Sequence, residues 1–311
     1  MKQNIDLIFD YDLDGSGSYI VLKNAFGDLI QNYKTQGRSK HSINLKKLAM
    51  MDGKSDTLIS SDICWDESDV RFMSNNWKRV IYIDHHPESK DHIGKFHNVK
   101  IIFDESVCST MLCFNTFQDR FVVTTDLKRF VAIVNDYDTW NQDGKFFNTG
   151  FYLNLIFFKY GFWDYVPKFI DGFFKFSDED TKFIEAHAEK AKDAIEKLIH
   201  ESFNDDKIVI AFLEDSNFLN ESSLALQQWG YKAVFLIYES HTGKNRVSMR
   251  TNDTDNYNII DFARRFEKIA ENNGVGLISV GGHDAAGGIE FIDNLEPMTI
   301  YKLLKELILE I

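Results

Sequence analysis

One stretch constrains this chain more than any other: Phe9-Asp10-Tyr11-Asp12-Leu13-Asp14-Gly15-Ser16-Gly17-Ser18. Ile5 and Leu7-Ile8-Phe9 read as a short buried strand, and the run from Ser18 to Ile30 carries Ile20, Val21, Ala25 and Leu29 at helical spacing. The acids therefore lie on the turn from a strand end into a helix, which is where open α/β sheets bind ligands. Asp10, Asp12 and Asp14 alternate, and an extended backbone would send all three to one side. Carboxylates crowded in this way repel one another unless a cation sits among them. Oxygen donors suit Mg²⁺, Ca²⁺ or Mn²⁺. Gly15 and Gly17 are expected to let the backbone turn tightly and approach a ligand. Taken alone, the pattern also describes a solvated acidic turn or a calcium loop.

The rest of the chain repeats the strand-then-helix alternation. Asp56–Ile63 reads as a strand ending in Asp62, and Asp66–Asn76 as a helix. Arg79–Ile83 is a strand running into Asp84-His85-His86-Pro87, where proline ends it. Val99–Phe103 is a strand, Ser109–Phe117 a helix, and Asp126–Val134 a helix leading into Asn135-Asp136-Tyr137-Asp138. Such alternation predicts an α/β fold, a mostly parallel sheet with helices on both faces. Phe147–Phe176 is dense in aromatics and reads as a helical core. Ser177-Asp178-Glu179-Asp180 caps a helix that is expected to run to about Phe203. A second, smaller α/β unit follows, with strands at Lys207–Leu213, Ala233–Tyr238 and Arg246–Arg250, and helices at Asn220–Trp229 and Asn258–Glu271. A glycine-rich turn at Gly281–Gly288 and a closing helix at Met298–Ile311 complete it. The expected division is 1–180, a helical connector 181–204, and 205–311.

Composition narrows the function. The formal net charge of −13 disfavours length-dependent binding to a nucleic-acid backbone, so no extended duplex is expected as a partner. No run reaches the ~20 apolar residues that cross a bilayer, and the N-terminus has no apolar signal region. Cys64, Cys108 and Cys113 lack zinc-ligand spacing and read as reduced thiols, so a cytoplasmic location is expected.

Asp-x-Asp-x-Asp-Gly, a strand-end Asp62, Asp84-His85-His86, the acid of Val-Asn-Asp-Tyr-Asp-Thr-Trp and a C-terminal Gly-Gly-His together resemble the DHH-motif phosphoesterases. That family spans RecJ-type exonucleases, nanoRNases and cyclic-dinucleotide phosphodiesterases. The resemblance covers nearly the whole chain. It implies an N-terminal metal-binding DHH domain and a C-terminal substrate-binding domain, with the active site in the cleft between them.

The resemblance also assigns roles. Two Mn²⁺ ions are implied, with Mg²⁺ or Co²⁺ as substitutes. Asp10 and Asp12 would hold one, Asp14, His85 and Asp136 the other, and Asp62 would bridge them. Asp138 is the rival for Asp136, whose place in the motif is favoured. The first motif opens with Asp rather than His, closer to the exonuclease form, which leaves Asp10's direct coordination open. His86 would face the scissile phosphate, and Asp84 would orient the histidines. In the second domain Ser248 and Arg250 resemble the family's Ser-x-Arg strand. Gly281, Gly282 and His283 resemble its Gly-Gly-Gly-His, with Val280 in place of one glycine. These would hold a substrate phosphate. Ser109 and Thr110 are either phosphate contacts or helix caps. The expected activity is Mn²⁺-dependent hydrolysis of phosphate esters in short oligonucleotides or dinucleotides. A compact 5′→3′ single-strand exonuclease and a non-catalytic nucleotide-binding protein are the alternatives. A homodimer is one assembly that this reading allows.

Overall fold

The computed structural model describes residues 4–35, 41–204, 206–282 and 284–309. The chain forms two compact units, Met1–Asp180 and Thr181–Ile311. The first unit is built on a five-stranded sheet, β1 (Ile5–Phe9), β2 (Ile30–Thr35), β3 (Thr57–Ser61), β4 (Arg79–Asp84) and β5 (Val99–Phe103), in the order β2-β1-β3-β4-β5. Every pairing in it is parallel. β1 and β3 are buried along their whole length, as strands covered on both faces must be. One face packs Ile8, Leu58, Val80 and Tyr82 against Leu45 and Leu48 of α2 (His41–Ala49) and Val70 and Met73 of α3 (Glu67–Asn76). The remaining helices of this unit are α1 (Leu13–Phe26), α4 (Ser109–Phe117), α5 (Thr125–Asp138) and α6 (Phe147–Phe169).

The strand order positions the site. From β1 the chain goes to β2 on one side, and it later returns to β3 on the other. The loops leaving β1 and β3 therefore diverge at a topological switch point, where a crevice opens at the strand ends.

The second unit begins within α7 (Asp178–Glu196). It carries a mixed six-stranded sheet, β6 (Ile199–Phe203), β7 (Ile208–Leu213), β8 (Ala233–Glu239), β9 (Asn245–Thr251), β10 (Leu277–Gly282) and β11 (Ala286–Phe291), in the order β10-β11-β9-β8-β7-β6. Only β7 and β8 pair in parallel among its described strands. Strand alternation splits the core in two. Ile210, Phe235, Ile237 and Met249 face α9 (Ile259–Asn272) and α10 (Pro297–Leu309), while Val209, Ala211, Val234 and Leu236 meet Leu226 of α8 (Leu219–Gln228).

Several expectations change. The helix expected to run to Phe203 ends at Glu196, and Ile199–Phe203 is an edge strand paired with β7. The glycine-rich segment is mostly strand rather than turn. Its glycines face one another across two antiparallel strands, Gly281 opposite Gly288 and Gly282 opposite Gly287. β2 and α2 are elements with no counterpart in the sequence reading.

Candidate metal centre

The acidic loop is not extended throughout. α1 starts at Leu13, so Asp12 is its N-cap, with φ −149° and ψ −166°, and Asp14 already lies in the first helical turn. The Asp12 Oδ1 accepts the Gly15 N–H at 2.8 Å. Gly15 and Gly17 serve close packing within the helix rather than a tight turn. A Cβ on Gly15 would sit 2.2 Å from the Asp10 carbonyl oxygen, and one on Gly17 would sit 2.4 Å from Thr110 Oγ1. The three acids are thus brought together by a strand end and a helix start.

Asp14 is clasped by α4. Its carboxylate accepts the N–H of Ser109 and of Thr110, each at 2.8 Å, and its carbonyl accepts the Thr110 hydroxyl at 2.8 Å. Those two N–H groups are spent on Asp14, so the start of α4 holds a site carboxylate.

Asp62 follows β3 and is buried, with φ 60°, a left-handed conformation that costs a non-glycine residue roughly 1–2 kcal/mol. Its Oδ2 is buried with no hydrogen-bond partner. Burial first, then the charges of Asp14, Asp12, Asp138 and Asp10, push its carboxyl well above the usual range. Burial, followed by Asp10 and Asp14, pushes Asp12 up to about 7. Asp62 therefore stands amid four other carboxylates.

His85 completes the cluster. Its Nε2 lies 3.4 Å from Asp62 Oδ1, 3.5 Å from Asp138 Oδ2 and 3.8 Å from Asp14 Oδ2. Asp84 is fully buried behind it. The Asp84 Oδ1 accepts His86 Nδ1–H at 2.8 Å, and its other oxygen is reached by the Ser89 hydroxyl and, at 3.2 Å, by Tyr82. Burial alone would raise the Asp84 carboxyl, but His86, then His85 and Ser89, outweigh it and hold the group at about 2. Asp84 is therefore ionised, and His86 carries its proton on Nδ1. Tyr82 and Ser89 were not singled out in the sequence. Tyr82 lies two residues before Asp84, on the same face of β4, and that period is the signal that would have found it.

The structure separates the two rival acids. α5 runs on to Asp138, which faces His85. Asp136 lies two residues earlier, about 200° around the helix. Its Oδ2 accepts the Phe146 N–H at 2.9 Å, and a Cβ on Gly144 would press to 2.6 Å from that oxygen. Asp136 caps the 139–146 loop, whereas Asp138 lies beside His85 and Asp14.

The donor set fits a divalent ion. Bonds of about 2.1 Å in an octahedral shell put neighbouring ligand atoms about 3.0 Å apart and opposite ones about 4.2 Å apart. The distances around His85 Nε2 fall between these limits. One donor atom each from Asp14, His85 and Asp138 lies within 4.8 Å of the others, and so do those of Asp62, Asp84, His85 and His86. The unpartnered Asp62 oxygen is the kind of buried acceptor that a cation satisfies.

The second-unit residues form their own group on adjacent strands. Ser248 and Arg250 share one face of β9, and β11 pairs with them through Gly288 and Ala286. The Arg250 Nη1 donates to Met249 O at 2.9 Å and to Ser248 Oγ at 3.2 Å, and Nη2 reaches Asn220 Oδ1 at 3.4 Å. Gly281 and Gly282 end β10, next to β11, and His283 lies outside the described residues.

The first unit is a parallel α/β fold that carries a buried Asp-His-His cluster and a candidate metal centre. The sequence matches no protein-family model and no curated protein. Solved structures do share the fold. A DHH domain described as a member of the s1p family of ribosomal proteins superposes with a TM-score of 0.62 at 14% identity, over 99% of this chain and 86% of its own. RecJ from Thermus thermophilus in complex with Mn²⁺ gives 0.56 at 13% identity over 98% of this chain. This chain spans about half of that RecJ, 52% of its length. CDC45 from Entamoeba histolytica gives 0.50 at 11%, over 98% and 95%. At such identities the likeness establishes the fold. No helix among the described residues is long and apolar enough to cross a membrane.

Proposed function

We propose that this protein is a divalent-metal-dependent phosphoesterase that hydrolyses short nucleotide substrates. The observation that carries the reading is the convergence of Asp12, Asp14, Asp62 and Asp138 with His85, beside which the second Asp62 oxygen is buried with no hydrogen-bond partner. Asp14, His85 and Asp138 would hold one ion and Asp12, with Asp10 beside it, a second, Asp62 lying between them. Mn²⁺ is the first ion to try, because the Thermus RecJ was solved with it. When bound, such ions acidify water and neutralise charge on phosphate oxygens.

The chain's own groups do the rest. Hydrolysis forms a bond from water oxygen to phosphorus and breaks the ester P–O bond. Asp84 fixes the tautomer of His86, so that its Nε2 is the nitrogen that acts on a substrate phosphate. Arg250, whose contacts to Gly287 O and Asn220 are long at 3.4 Å, can exchange them for a charge-assisted grip on a phosphate. The family resemblance alone would add Ser248, Gly281, Gly282 and His283 to that grip. The charge of −13 favours short substrates, because it weakens the general attraction that holds long strands.

The test is product analysis on purified protein with Mn²⁺ or EDTA, using dinucleotides, cyclic dinucleotides, phosphoadenosine phosphate, and longer RNA and DNA. Mn²⁺-dependent cleavage of substrates of about two to five nucleotides, abolished in Asp62→Asn, is expected. Processive digestion of long single strands would replace this reading with the exonuclease. Binding without turnover on every substrate would make the protein a non-catalytic nucleotide binder.

A further inference from the structure

The aromatic run that the sequence presents as mere core has a second task. α6 is two helical stretches joined at Gly161, where φ 65° and ψ 170° leave the helical region. At this break the Phe162 N–H donates to the Tyr11 hydroxyl over 3.4 Å. Just before the break, the Phe157 ring lies 5.4 Å from the ring of Tyr11. Just after it, the Phe162 ring lies 5.4 Å from that of Phe9. A Cβ on Gly161 would stand 3.1 Å from the Tyr11 hydroxyl oxygen, so the break is shaped around that group.

Phe9 and Tyr11 flank Asp10, and Tyr11 directly precedes Asp12. Phe9 is the last residue of β1, so the sheet ladder stops just where the metal loop starts. α6 takes over at that point and grips the chain on both sides of Asp10. We propose that Tyr11 is a positioning residue, clamped by the kinked α6 so that the Asp10 and Asp12 carboxylates meet the cation already oriented. This rests on the metal centre of the proposed function. Preset ligand geometry of this kind is what outer contacts give a metal site, and losing one typically weakens metal binding 10- to 100-fold.

Tyr11 is 39% exposed, so truncating it leaves no sealed cavity and the chain should fold. The experiment titrates the metal-free full chain with Mn²⁺, counting free ion by electron paramagnetic resonance. Tyr11→Ala should weaken binding about tenfold or more. Tyr11→Phe keeps the ring on Phe157 and should weaken it less than about threefold. Phe169→Ala is the control for general loosening, since Phe169 stacks on Phe130 and packs tilted against Tyr165 rather than on the metal loop. It should lower the melting temperature and leave Mn²⁺ affinity unchanged. Wild-type affinity in Tyr11→Ala, or an equal loss in Phe169→Ala, overturns the clamp while the metal centre stands. Failure of the wild type itself to bind Mn²⁺ overturns the metal centre, and the clamp with it.

Discussion

Removing Asp138 and removing Asp136 should have opposite signatures. Asp138 is one of four carboxylates whose charge raises Asp62, and its Oδ2 sits 3.5 Å from His85 Nε2. In Asp138→Ala the metal-free protein loses like-charge repulsion, so its melting temperature should hold or rise slightly. Its Mn²⁺ affinity should fall at least tenfold, which is about 1.4 kcal/mol. Asp136 makes a different contribution. Its carboxylate accepts one N–H at 2.9 Å at the closure of the 139–146 loop. A hydrogen bond to a charged group is worth about 1.5–3 kcal/mol, and partial exposure of Asp136 brings this to about 1–2 kcal/mol. For a unit the size of Met1–Asp180 that is a loss of roughly 2–8 °C. Mn²⁺ affinity should stay within about twofold of wild type. The assay pairs thermal unfolding in EDTA with Mn²⁺ titration of both variants. If Asp136→Ala loses the metal while Asp138→Ala keeps it, the geometric assignment is wrong and the motif position was the better guide.

Two further outcomes concern stability. Asp6 is fully buried at the start of β1 and accepts from Asn32 Nδ2, Ser55 N and Oγ, and Trp77 Nε1 at 2.9–3.0 Å. Asp6→Ala strands those donors and should cost roughly 3–5 kcal/mol in urea unfolding; a loss under about 1 kcal/mol would show that water replaces the carboxylate. Burial pushes the Asp180 carboxyl up, but Lys168, Ser177 and Tyr160 outweigh it and hold it at about 2. The folded value lies below the ordinary 3.8, so this group stabilises above about pH 4 and the gain is lost as pH falls towards 2. The contribution is about 1–2 kcal/mol once screening at the partly solvated Lys168 is discounted. Wild type should therefore exceed Asp180→Asn in urea unfolding at pH 6, with most of the gap closing by about pH 2; a constant gap would refute the linkage.

What could be read in the sequence follows from how locally each feature is determined. The buried strands β1, β3 and β4 are short apolar runs, and the acids and histidines after them sit where strand chemistry stops. The alternation that makes the sheet parallel was equally plain. β2 was hidden because it is an edge strand with polar residues, and Asn32 is buried only because Asp6 bonds it from β1. β6 reads as a helical tail because Ile199-His200-Glu201 is exposed on a sheet edge and carries little apolar pattern. The choice between Asp136 and Asp138 needed the end of α5, and a helix end depends on what packs beyond it. Here that is the loop folded over Asp136 by Gly144, a contact of tertiary structure. The break at Gly161 likewise meets Tyr11, 150 residues away in sequence.

The site draws its donors from the start of α1, the residue after β3, the residue after β4 and the end of α5. These segments meet only when the first unit is assembled, so an unfolded chain offers no comparable site. Ion occupancy is therefore tied by mass action to the folded population. An ion at a hundred times its dissociation constant adds about 2.7 kcal/mol to that unit. Where protease reaches the chain through transient opening, an ion bound there would set the protein's lifetime, because cleavage follows the open fraction. With the proposed metal centre, a cell short of the ion would lose the polypeptide itself.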